Sequence, residues 1–294
     1  MWIYNRLNCY RVALLLLKRT IVAWRHDRAS LLAAALAFYT TFSLAPLLVI
    51  GISIASLIFN QETVQQSVLE QIQLAIGREG AVTVQAMISA QLRERSGLIP
   101  TVTSIAVMVF GASIVFTQLQ ESLNLIWKAD ANWGIIRGFL LGRMNAFLMA
   151  VSTGLLMLCA LVLSTGLTVL ARTVGSIVPG AIAIVKILDP LVSVGLIAIA
   201  FAAIYKVVPH VKIKWGDVWL GAIITAMLFN LGKLLISLYL TRSGLSSAYG
   251  AAGSLVAILT WVYYSAQILL FGAEFTKIYA HTHGSHRPSL STGK

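Results

Sequence analysis

The chain has 294 residues, of which 58% are hydrophobic and only 11% charged, with a mean hydropathy of +0.85. Soluble domains carry about 25% charged residues, so this composition excludes an ordinary soluble enzyme and points to an all-α, polytopic membrane protein. A formal charge of +12 would raise the question of nucleic acid in a soluble protein, but here the cations follow membrane topology, and no nucleic-acid partner is expected.

At the N-terminus Ile3, Leu7, Tyr10, Leu14, Leu17, Ile21 and Trp24 recur at alternating steps of four and three, with Arg6, Arg11, Lys18, Arg19 and Arg25 elsewhere on the same turns. This spacing predicts a cytoplasmic amphipathic helix over 1–28 lying in the headgroup plane, apolar side down and cations on anionic lipid. A coiled-coil partner helix is the alternative for the same seam. Arg25-His26-Asp27-Arg28 ends it. No small-residue cleavage site follows, so a removable signal peptide is not expected.

The apolar run 31–59 exceeds the roughly 20 residues that cross a hydrocarbon core and is read as the first span. Its middle carries Tyr39, Thr40, Thr41, Phe42 and Ser43, followed by Pro46. Proline has no N–H, so the Phe42 carbonyl loses its helical partner in a medium without water. Either Ser43 or a neighbouring helix heals a packing kink, or a kinked helix lines a polar cavity.

From 61 to 97 the chain turns polar, and apolar residues at Val64, Val68 and Ile72, then at Val84, Ile88 and Leu92, predict two short amphipathic helices split near Gly77 to Gly80. They are expected to form a periplasmic cap. Further spans are expected at 98–119, continuing as a polar helix through Trp127, then at 144–170, 181–207, 216–240 and 251–277. The Gly138 to Gly142 GxxxG precedes the third span, and Gly175 and Pro179-Gly180 mark the turn into the fourth. The six-span domain thus occupies 29–280, with the insertion 61–97, and the tail 281–294 is expected to be disordered. Cys9 and Cys159 lie far apart in this layout, so no disulfide is indicated.

Lysine and arginine set the orientation. One side holds the cations of 1–28 with Lys128, Arg137, Arg143, Lys206, Lys212, Lys214, Lys277, Arg287 and Lys294; the other holds Arg78, Arg93, Arg95, Arg172 and Arg242. The positive-inside rule then places both termini in the cytoplasm.

Three blocks carry a family resemblance: AAALAFYTTFSLAPLL in the first span, TQLQESLNLIW from Thr117 to Trp127, and YGAAGSLVAILTWVYYSAQILLFGAEF from Tyr249 to Phe275. Together they resemble the YihY/BrkB family of bacterial inner-membrane proteins, nearly end to end. The resemblance implies a six-helix inner-membrane protein. Members have carried the labels "ribonuclease BN" and virulence factor, and transport roles have been proposed. It implies no agreed catalytic motif.

Ionisable groups inside spans are expensive, which makes Lys186, Asp189 and Lys233 candidates. An antiparallel hairpin of the fourth and fifth spans brings Lys233 within a turn of Asp189, either as a structural ion pair or as part of a solute path, with Asn230 on the same face. The sixth span adds Thr260, Tyr264 and Gln267, and the second adds Gln120 and Asn124. With Tyr39, Thr40, Ser43 and Pro46 these define a candidate polar interior, although interhelical hydrogen bonding accounts for any single member. Glu121 and Glu274 are read as its inner boundary, paired with Arg137 or Arg143.

Enzyme signatures are missing: there is no HExxH, CxxC, Walker loop or GxSxG. His281, His283 and His286 lie in the tail without nearby carboxylates, so no metal site is expected, and no cofactor is implied. The expected function is a transporter or channel-like facilitator for a small polar, ionic or lipid-headgroup solute. An envelope scaffold is the alternative, and a ribonuclease a distant one. A homo-oligomer is left open.

Overall fold

An apolar chain must satisfy its backbone N–H and C=O groups inside each segment, which favours helices. The computed structural model describes residues 2–56, 59–93, 98–129, 181–242 and 252–285. Among them every regular element is a helix: α1 (Trp2–His26), α2 (Ala29–Ala55), α3 (Gln61–Arg93), α4 (Leu98–Trp127), α5 (Ala181–Val207), α6 (Trp215–Arg242) and α7 (Gly253–Thr282). The expected span over 144–170, the GxxxG, the turn at 175–180, Cys159, Arg137 and Arg143 lie outside the described residues.

Helices α1 and α2 meet at an elbow formed by Asp27 and Arg28. Arg28 takes a left-handed φ of 52°, and the two helices bend by 65° across it. That backbone costs a non-glycine residue about 1–2 kcal/mol, so neighbouring contacts must hold the elbow. Helix α2 then runs on through Pro46 to Ala55. In α3 the break falls at Gly77, with φ 83° and ψ 175°, a conformation that glycine alone adopts readily. Nothing stands near a would-be Cβ there, so the requirement is conformational rather than steric.

Helix α7 packs against α1, α2, α3, α4 and α6. Around it the buried side chains form two clusters. One gathers Ala29, Ala33, Leu123, Ile126, Tyr205 and Leu270 toward the elbow; the other joins α3 to α2 and α7 through Val49, Ile52, Val64, Val84, Ile88 and Ile258. Val64, Val84 and Ile88 are thus buried on the faces that their spacing predicts.

The amphipathic seam of α1 is not the face that meets the bundle. Leu14, Leu17 and Ile21 stay 65%, 44% and 45% exposed, while Leu16 and Thr20 are buried. The reason is that the elbow, not the seam, decides which stripe of α1 turns toward α7.

Among the described residues, Trp215–Ile236 and Gly253–Thr282 are long and apolar enough to cross a membrane, and Leu14–His26 with Ala29–Ala45 makes a third, bent candidate.

The α6–α7 contact depends on side chains too small to keep the helices apart. A Cβ on Gly272 would stand 1.9 Å from Thr225 Oγ1 and 2.4 Å from the Tyr205 hydroxyl, and one on Gly221 would stand 1.9 Å from Thr276 Oγ1. Farther along, the Tyr264 ring lies over Gly232. Overpacking of this kind costs about 1–3 kcal/mol. Gly272→Ala is therefore expected to lower the thermal midpoint in detergent, whereas Gly216→Ala, where nothing stands within 4 Å of the new Cβ, leaves it near the parent value.

Candidate functional site

Charges in apolar helices need partners, and the elbow supplies them. Lys277 Nζ donates to Asp27 Oδ2 at 3.0 Å and to Glu274 Oε2 at 3.3 Å, and His26 Nδ1 lies 2.8 Å from Asp27 Oδ1. The side chains of Glu274, Asp27 and Lys277 are only 0%, 8% and 12% exposed. Glu274 Oε1 is buried and has no hydrogen-bond partner among the described residues. Partial burial alone would push the Asp27 carboxyl up; the bonds from His26 and Lys277 outweigh it and hold the group down at about 2.

The ends of α4, α5, α6 and α7 close around the same region. Gln120 Nε2 donates to the Val208 carbonyl at 3.2 Å; Asn124 Oδ1 accepts the His210 N–H, and its Nδ2 meets His210 Nδ1, both at 2.9 Å. These bonds fasten the α5–α6 loop to the end of α4. Lys206 donates to the Ile213 carbonyl and lies 5.8 Å from the Trp215 ring centroid. Residues 281–285, expected to begin a disordered tail, instead finish α7 at Thr282 and tie down: the Ser285 N–H and hydroxyl both donate to Asp217 Oδ2, at 2.9 and 2.6 Å.

The remaining candidates lie farther along the helices. Ser43 donates across to the Gly111 carbonyl of α4 at 2.8 Å, and Asn230 donates to Ala226 on its own helix at 2.9 Å. Tyr39 is exposed and packs edge-on against Phe38, while Thr40 and Thr260 are half-buried. Pro46 and Asp189 sit in α2 and α5, but their side chains, like that of Lys186, lie outside the described ones. The expected pairing of Asp189 with Lys233 is therefore outside them too. Lys233 is half-buried on α6, next to the Gly232 that takes the Tyr264 ring. Gln267, one turn along α7 from Tyr264, keeps its Oε1 buried and without a hydrogen-bond partner among the described residues.

The elbow cluster is what sequence reasoning missed. The Glu274/Lys277 spacing of three was a readable local signal; Asp27, 250 residues from Lys277, offered none.

Comparison with known proteins places this architecture. The profile of the virulence factor BrkB family matches residues 20–292. The chain belongs to that family. Among curated BrkB-like relatives, a UPF0761 membrane protein of Alteromonas mediterranea is 26% identical over 256 residues, covering 86% of this chain and 83% of its own length. Its counterpart in Albidiferax ferrireducens is 27% identical over 278 residues, covering 92% of this chain and 61% of its own. One from Pseudomonas aeruginosa is 30% identical over 254 residues, covering 84% and 58%. The chain thus spans about three fifths of the last two relatives. No solved structure matches it.

Because the Asp27 carboxyl is held below its ordinary value of 3.8, its bonds stabilise the fold above that pH and lose their effect as pH falls through about 2. Acid titration of thermal stability in detergent should show this loss in the parent chain. Asp27→Asn should start less stable and lose less over the same window.

Proposed function

We propose that this BrkB-family membrane protein crosses the bacterial inner membrane six times with both termini in the cytoplasm, and moves a small polar, ionic or lipid-headgroup solute through the bundle interior. The observation that carries the transport reading is Gln267: a buried amide oxygen in mid-helix, without a hydrogen-bond partner among the described residues, in a segment apolar enough to span a membrane. Such an oxygen costs about 1–3 kcal/mol if left bare, so a site that keeps one is built to meet water or solute. Thr260 and Tyr264 share its face of α7, and the Gly232–Tyr264 contact brings that face to the neighbourhood of Lys233. The charge asymmetry of the loops supports the orientation. With no ATP-binding loop in the sequence, movement is ion-coupled or passive.

The hydrogen bonds of Ser43, Gln120, Asn124 and Asn230 favour a second reading, an envelope scaffold whose polar groups serve packing.

Flux assays in liposomes separate the two. Transport predicts uptake of at least one solute class by the parent chain and several-fold slower uptake by Gln267→Leu, with thermal stability kept or raised because the bare oxygen is gone. Absence of flux for every class tested would leave the scaffold. Orientation is checked in a chain with Cys9 and Cys159 replaced by serine: an impermeant thiol reagent added outside should label a cysteine at Gln85 and miss one at Ser289. The reverse pattern would invert the topology.

A further inference from the structure

At the elbow two carboxyl groups share one ammonium. Lys277 reaches both Asp27 and Glu274, the Asp27 and Glu274 side chains themselves come within hydrogen-bonding reach, and Glu274 is fully buried with Oε1 unpartnered among the described residues. A site with both acids ionised would bury an excess negative charge against a bare oxygen, the arrangement that apolar surroundings tolerate least. Among the described residues Lys277 is the one ammonium or guanidinium against these carboxyls, so one further positive charge would balance them. A divalent ion is excluded because Lys277 Nζ already stands between the carboxylates. A larger monovalent ion would need several more oxygen ligands, and the nearby carbonyls of α7 are engaged in its own helix. A proton needs none.

We propose that Glu274 and Asp27 hold one exchangeable proton between them, so that the α1–α2 elbow is a proton-binding site. Asp27 already accepts from His26 and Lys277 and stays ionised; the proton therefore resides on the Glu274 carboxyl, which donates to Asp27 and in doing so no longer needs a partner of its own as an anion. Release is simple ionisation: the Glu274 O–H bond breaks, its electron pair stays on the carboxylate, and the proton passes to water. His26, whose side chain is 76% exposed, marks the side of the cluster that faces outward.

Among the described residues, the charged groups acting on Glu274 are Lys277 of its own helix and Asp27 of the elbow. Lys18, Arg19, Arg25 and Arg28 are exposed on α1 and the elbow, as are Glu121 and Lys128 on α4; Asp217 of α6 is taken by Ser285; and α3 packs at the far end. Loss of the proton leaves two full anions competing for Lys277, which loosens its hold on Asp27 and hence on α1.

The test is infrared difference spectroscopy on the full chain in lipid nanodiscs, between mildly acidic and mildly alkaline samples, with and without carbon-13 glutamate. The expected result is a protonated-carboxyl C=O band that shifts with labelled glutamate and is abolished by Glu274→Gln, an isosteric mimic of the protonated state. The exposed-residue variant Glu62→Gln keeps it. In Asp27→Asn, which removes the neighbouring anion, the band should titrate away at lower pH than in the parent. A band that survives Glu274→Gln, or no band at the acidic end, overturns the site; an unmoved midpoint in Asp27→Asn overturns the sharing. The assay needs no transported solute and so stands or falls independently of the transport reading.

Discussion

Close approach of helix backbones is the constraint on which the bundle rests. In lipid there is no hydrophobic gain from pressing one apolar helix against another, so contact must come from dense packing and interhelical hydrogen bonds. Helix α7 meets both conditions. Gly272 admits Thr225 and Tyr205, and the Tyr205 hydroxyl donates to the Leu269 carbonyl at 2.8 Å while meeting Thr225 Oγ1 at 3.1 Å. That one phenol joins α5, α6 and α7. Its ring also stacks on Phe201, whose other neighbour is Phe229 of α6.

Once α7 is fixed, its last turns become the floor on which the other helix ends are set. Lys277 catches the elbow, the His281 ring lies 6.3 Å from that of Trp127 at the end of α4, and Ser285 catches the start of α6. Asp217 sits in the first turn of α6, where a negative charge also suits the helix dipole. The elbow end is therefore polar and cross-linked, whereas the α3 end is held by aliphatic contact. The two ends differ in the physics that closes them, and among the described residues the ion pairs lie at the elbow end.

Much of the fold was legible because its signals are local. Apolar length marked α2, α4, α5, α6 and α7, and polar continuation marked the extension of α4 through Trp127. Glycine marked the break in α3. In α1, Leu14, Leu17 and Ile21 form the better seam by period and stay exposed, while the elbow geometry presents Leu16 and Thr20 to the bundle. Period reports which residues share a face, not which face a distant helix will choose. The same limit governs the site. Gln120 and Asn124 were recognisable as polar residues in an apolar helix, yet their partners at Val208 and His210 lie 88 and 86 positions away and belong to a loop. Lys277 appeared as one more topogenic cation, because its spacing from Glu274 is visible and its bond to Asp27 is not.

The separation between Asp27 and Lys277 also orders events at the ribosome. The elbow carboxylate is made 250 residues before its ammonium, and synthesis at about 5–20 residues per second leaves roughly 12–50 s between them. For most of that interval α1 and α2 are already made, but the charge that fastens them has not been translated. Asp217 waits in the same way for Ser285, over a shorter stretch of 68 residues. Among the described residues the elbow end is thus the last to close, and a nascent chain stalled before α7 presents two acidic groups whose covering segments do not yet exist.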